Sequence, residues 1–306
     1  MINAALDVPA GLARLSSGTR SWIYHNLAYL DPSFPDLPAT PKAKATLELA
    51  LLSLLWTRWR PTDTELGKVI GTVHRIWSNP SLLKQLAAAS RHSRQFGLIY
   101  GALAPAGTES GYHTAVLERL APAGYLAPYG ETTFVRLETR YYADLAGLEH
   151  GFESYQEMYA ASYLAGLDEV PRPMDIEDAY DITHTVFHIT DFGARDAGLS
   201  PDERQRVLAI TDQLTDYFVE IEHWDLIAEF LLARRCLGED PTLTSSGAAA
   251  VRALLDAQTT AGDIPGRFAA QGALPAATPL VTFRKSFHTT LVTALAAMSV
   301  QSAPPA

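Results

Sequence analysis

Four ionisable side chains crowd one short apolar run, Tyr180 to Gly193, which reads YDITHTVFHITDFG. Asp181, His184, His188 and Asp191 stand at offsets 0, 3, 7 and 10, so on an ideal helix all four project from one side. Burying two carboxylates and two imidazoles is costly unless they pair, bind a metal or line a wet cavity. Asp181 and His184, one turn apart, suit general acid and base work, because imidazole titrates near neutrality. The i, i+4 spacing of His184 and His188 also suits two ligands on one metal, although Thr185 stands where an HExxH pattern has its Glu. His188, deeper along the helix, reads as a core histidine. Asp191 falls at the far end, where a carboxylate opposes the helix dipole, and is expected to pair with Arg195, Arg234 or Arg235.

The same aromatic-then-ionisable start returns as Trp224-Asp225 opening WDLIAEFLLA and Phe287-His288 opening FHTTLVTALA. Three inward-facing helices are therefore expected to deliver Asp181, Asp225 and His288 to one mouth at their N-terminal ends, where the positive end of the dipole stabilises a carboxylate. Either Asp alone is better explained as an N-cap. A His at the same slot is a poor cap, and it tips the trio towards a cavity site. With His184 added, the trio supplies acid and base groups; as ligands, Asp181, Asp225 and His288 make an oxygen-rich zinc site. Glu177 and Asp178 crowd the start of the first helix, where one carboxylate raises the other's pKa and so furnishes a proton donor, or where both merely complement the dipole. Tyr180, Phe187, Trp224, Phe287, Tyr141 and Trp56 are the aromatic lining expected to stack on a flat substrate or stabilise a cation, beside the plainer reading as core. Tyr112-His113 leads into the charged run LERL and is expected at the surface.

Helix-period patterns and Pro/Gly punctuation run the whole length, and alternating strand-like runs are scarce. They predict helices over 12–30, 42–59, 62–77, 81–89, 95–103, 112–120, 132–147, 154–165, 178–192, 202–220, 225–237, 244–258 and 287–300. Capping patterns at Thr62–Glu65 and Ser200–Glu203 open two of them. Inner helices beginning near 46, 95, 134, 181, 225 and 288 form a degenerate repeat of a helical hairpin. Such repeats stack as an open solenoid or close into an α/α toroid. The best-marked helices are apolar nearly all round, which favours the all-α toroid. One domain is expected over 1–306, with 1–40 a helical extension and 301–306 a loose tail.

A chain of 306 residues with 47% hydrophobic and 19% charged content can bury a large core. A net charge of −10 without a Lys/Arg stripe speaks against nucleic acid or an anionic membrane as partner. The single cysteine, Cys236, rules out an internal disulfide. No secretory signal pattern and no run of 18 apolar residues is seen, so a cytoplasmic protein without membrane insertion is expected. Neither GxGxxG, a Walker loop, GxSxG nor CxxC occurs, which leaves nucleotide-dependent and serine-hydrolase chemistry without support.

SFHTTLVTALAAM resembles the last inner helix of protein prenyltransferase β-subunits, and Trp224-Asp225 resembles the helix that carries their zinc-binding aspartate; that likeness implies His288 and Asp225 as ligands. The cysteine ligand of those proteins falls near Ile227, which binds no metal. Leu254 to Asp263 is similar to the Gln-and-Gly turn between toroid hairpins. Asp175-Ile-Glu177-Asp178 is similar to the Asp-x-Asp-Asp general-acid motif of class II terpene cyclases, with Glu in the middle place. The whole chain looks like an uncharacterised natural-product-cluster family with a THxxFxxTDFG core, which implies a biosynthetic setting. The expectation is an enzyme of secondary metabolism that cyclises or isomerises a largely apolar or polyene-like small molecule by acid/base chemistry and requires no cofactor. The alternatives are a zinc-dependent transferase or hydrolase on the same groups, and a non-catalytic carrier or scaffold.

Overall fold

The computed structural model describes residues 7–30, 39–79, 90–107, 111–120, 132–266 and 278–302. The helix predicted over 81–89 and the turn at 121–130 lie outside them. Every regular element among the described residues is helical. The chain divides into two compact bodies, one of residues 1–25 with 167–306 and one of residues 26–166. Helix α1, Val8–Asn26, belongs to the first but for its last residue, and a 3-10 turn, Leu27–Leu30, follows it. No helix of the described residues is long and apolar enough to cross a membrane.

The body of residues 26–166 contains α2 (Ala39–Trp59), α3 (Leu66–Trp77), α4 (Ser90–Leu103), α5 (Gly111–Leu120), α6 (Thr133–Leu145) and α7 (Tyr155–Ala160). Helix α4 packs against both α2 and α6, so every second helix is a neighbour. Gly101 makes the α4–α6 approach feasible, because a Cβ there would lie 2.3 Å from the Tyr142 carbonyl oxygen. Trp56, Phe96 and Tyr141 are buried in this core, and Arg94 of α4 pairs with Glu138 of α6.

Three expectations are corrected here. The Thr62–Glu65 pattern forms no capping box: Asp63 accepts the Glu65 amide at 3.0 Å, this local turn wins, and the helix starts at Leu66 with no side-chain cap. His113 is buried rather than superficial, stacked on Trp77 at 4.6 Å with Nε2 3.1 Å from the Trp77 carbonyl oxygen, while Tyr112 stays exposed. The helix expected over 154–165 is only α7, opened by a Ser154/Glu157 capping box and closed where the Ser162 hydroxyl donates to the Tyr159 carbonyl.

The other body contains α8 (Ile176–Ile189), α9 (Pro201–Glu220), α10 (Trp224–Cys236), α11 (Ser245–Ala257) and α12 (Pro279–Gln301). Helix α10 lies between α8 and α12, and α9 and α11 pack on α10 and on each other. Two rows result, α8–α10–α12 and α9–α11. Helix α1 joins this body through Trp22, stacked on Phe283 at 5.9 Å, and through Leu15, whose carbonyl accepts Gln258 Nε2 at 3.4 Å. Gln258 also donates to the Gly262 carbonyl at 3.1 Å. Gly262 has φ 100°, and a Cβ would meet the Gly18 carbonyl oxygen at 2.4 Å, so only glycine closes this turn. The predicted Ser200/Glu203 capping box with Pro201 at the first position is present. Helix α12 corrects another expectation. Thr278 caps it and Pro279 opens it, more than two turns before residue 287, so His288 lies well inside the helix and not at its N-terminal end.

Candidate functional site

Helix α10 is buried from Trp224 through Ala233, and again at Cys236. Its N-cap is His223, whose Nδ1 accepts the Leu226 amide at 3.4 Å. Asp225 follows in the first turn, where exposed backbone N–H groups favour a carboxylate. Glu229 comes one turn later, about 6 Å along the axis at 1.5 Å per residue. Both acids face neighbours that complement them. From α8, the Tyr180 hydroxyl donates to Asp225 Oδ2 at 2.5 Å, and the Thr183 hydroxyl donates to Glu229 Oε2. From α12, His288 Nε2 stands 3.2 Å from Asp225 Oδ2, and from α8, His184 Nε2 stands 3.7 Å from Glu229 Oε1.

The result is two carboxylate–imidazole pairs on consecutive turns, each carboxylate also receiving a hydroxyl from α8. The acids are deep, with side chains 9% and 3% exposed, and the imidazoles shallow, at 30% and 28%. At 3.2 Å Asp225 is close enough to hold the His288 ring by a hydrogen bond and to stabilise its imidazolium, whereas at 3.7 Å Glu229 acts on His184 through charge. Burial pushes the Asp225 carboxyl up, but the His288 charge and hydrogen bond, the Tyr180 hydroxyl and His223 together bring it down to about 2. Burial and the Asp225 and Glu229 charges push the Tyr180 phenol far upward, so it is a donor only. Among the described residues, the buried Asp225 Oδ1 finds no hydrogen-bond partner, and neither does the buried Trp224 Nε1.

The sequence-derived residues divide accordingly. Asp225, His288, His184 and Tyr180 are brought together. Asp181 stands outside the group: its carboxylate accepts the Thr185 hydroxyl at 3.3 Å, and burial, aided by the Asp178 charge, raises its pKa despite Thr185 and His184. Asp175 is the N-cap of α8, taking the Glu177 amide at 2.8 Å and the Asp178 amide at 3.4 Å, so Glu177 and Asp178 form an acidic first turn. Phe187 is buried, stacked on Phe192 at 5.2 Å and tilted onto His184 at 5.7 Å. Phe287 stacks on Phe283 at 5.2 Å. Trp56 and Tyr141 are core side chains of the body of residues 26–166. His188 is buried edge-on to His184 and Phe192. Of the arginines expected near Asp191, Arg195 donates to the His188 and Ile189 carbonyls, Arg234 pairs with Asp212 at 2.6 Å, and Arg235 donates to the Ser299 and Ser302 carbonyls.

Glu229 is the residue that sequence reasoning missed. Its signal was available: a second acid in an apolar helix, one turn from Asp225. Among the described residues, the ligand atoms of Asp225, Glu229 and His288 lie within 4.8 Å of one another, so Glu229 takes the place expected of Asp181. Ile227, where the prenyltransferase likeness implies a cysteine, is fully buried and offers no donor. A cleft of about 380 Å³ lies at the opposite end of α8 and α10, lined by Thr190, Gly193, Arg195, Arg204, Cys236 and Gly238 among others.

A family model described as "Domain of unknown function (DUF6895)" matches residues 16–298. No curated protein and no solved structure matches the chain.

Proposed function

We propose, for a chain that belongs to the DUF6895 family, an enzyme that moves protons on a largely apolar small molecule in an isomerisation or a protonation-initiated cyclisation. The observation that carries this reading is the His288–Asp225 pair at 3.2 Å, matched one turn away by His184 and Glu229. In this mechanism the His288 imidazolium, held by Asp225, gives a proton to one substrate atom. His184, beside Glu229, removes a proton from another, and about 6 Å along α10 separates the acids that face the two rings. Tyr180 keeps Asp225 ionised and oriented, and the Tyr180 and Trp224 rings supply faces that favour a transient cation. The same reading takes the helical hairpins as units of an α/α toroid. Support for that comes from the alternation within each body, where α2–α4–α6 and α8–α10–α12 are successive neighbours.

The test compares extracts of cells producing the wild-type protein, D225N or H288Q. A compound formed with the wild type is expected to vanish with both variants, while purified variants keep a cooperative melt. Unchanged metabolites with both variants, or loss only where the melt is also lost, would assign the pairs a structural role and end the proposal.

A further inference from the structure

We infer that Asp225, Glu229 and His288 form a binding site for a divalent transition-metal ion. The inference rests on reading this cluster as the functional centre, but not on its proton chemistry. Three observations support it. The three ligand atoms already lie within 4.8 Å of one another, and closing to roughly 3.3 Å around an ion with bonds of about 2.0 Å needs only small side-chain rotations. Among the described residues Asp225 Oδ1 is buried without a hydrogen-bond partner, so one carboxylate oxygen on a helix buried from Trp224 through Ala233 lacks the donor that burial demands. With His288 neutral, as a ligand must be, two ionised carboxylates would also carry the charge that a dication cancels.

The surroundings match a metal site as well. The Tyr180 and Thr183 hydroxyls sit on carboxylate oxygens, as outer-sphere donors that orient ligands do. Three protein ligands leave a fourth position open, as in sites where metal meets substrate. One nitrogen and two oxygens, with no sulfur, select Zn²⁺, Mn²⁺ or Fe²⁺ over Cu⁺. An ion held there would take His288 as a ligand and would supply an electrophile beside His184.

The full-length chain, stripped with chelator, is titrated calorimetrically with ZnCl₂ and with MnCl₂, and metal retained after gel filtration is counted by mass spectrometry. One equivalent of at least one metal is expected in the wild type, with affinity reduced at least 100-fold in E229Q and in H288A and about 10-fold or more in Y180F. No binding by the folded wild type at 1 mM metal overturns the inference, whatever the variants do. So does one equivalent retained by both E229Q and H288A, which puts the metal elsewhere. The two readings fail separately. Absent metal binding together with lost conversion in D225N removes the metal site and keeps the proton-transfer centre; metal held by these ligands together with full conversion in D225N does the reverse.

Discussion

Asp144 lies in the last turn of α6, where the carbonyl end of the helix disfavours negative charge. Partial burial also pushes its carboxyl up, yet hydrogen bonds from His150 at 2.8 Å and Tyr155 at 2.7 Å, with the Arg140 guanidinium, outweigh both and hold it below the usual carboxylate value. A carboxyl whose pKa is depressed by folding stabilises the fold above its unfolded value near 3.9, and that contribution is lost as pH falls through the folded value. D144N is therefore expected to flatten the loss of thermal midpoint between roughly pH 5 and pH 3, read by melts across that range. The side chain is 38% exposed, so solvent screening keeps the effect within about 1 kcal/mol. An unchanged acid limb would mean that the three partners contribute nothing to stability. At this scale the sequence was half legible. Asp225 and His288 announced themselves by matching aromatic neighbours. Tyr180 and Asp181 did not sort, because adjacent residues point about 100° apart on a helix and only the position of α10 decides which one meets it.

The element scale was read more completely, and its errors share a cause. Ser200, Pro201 and Glu203 act through local backbone geometry alone, and the box appears as expected: the Ser200 side chain accepts the Glu203 amide while Glu203 accepts the Ser200 amide at 2.9 Å. S200A is expected to lower stability by about 1 kcal/mol, read as a midpoint shift in urea, because two amides of the first turn lose their acceptor arrangement. No shift would make the box decorative. Thr62–Glu65 fits the same capping pattern with a different outcome, since Asp63 between them captures an amide first. The early start of α12 was equally present in Thr278-Pro279, a cap followed by a proline at the first position. It went unread because the stretch before it, rich in Pro, Ala and Gly, has the composition of a loop. That error mattered, since it placed His288 at a helix end when it projects from well inside one.

On the scale of the whole molecule, the alternating hairpins were visible as a spacing of apolar helices, but the division into two bodies was not. The boundary is a matter of which distant segments pack, and a helix period carries no such information. Helix α1 is the case in point: read as an extension, it packs with residues 167–306, burying Leu12, Leu15, Trp22 and Ile23. Gly11 lies so near Leu255 that an added Cβ would meet that side chain at 2.6 Å. Removing residues 1–25 is expected to raise amide hydrogen exchange in α11 and α12 at least tenfold, because it uncovers Leu255 and Phe283 and strands the second bond of Gln258. Unaltered protection there would refute a supporting role for α1.

This packing of the first helix with the last has a consequence for biosynthesis. Residues 26–166 are contiguous, so the contacts inside that body can form as soon as it has emerged from the ribosome. The apolar stripe of α1 emerges earlier still, while Leu255, Gln258 and Phe283 are translated more than 200 residues later. At about 5–20 residues per second, the nascent helix waits roughly ten to fifty seconds for its docking surface. A holdase that covers such a stripe would then govern the yield of the body bearing Asp225 and His288.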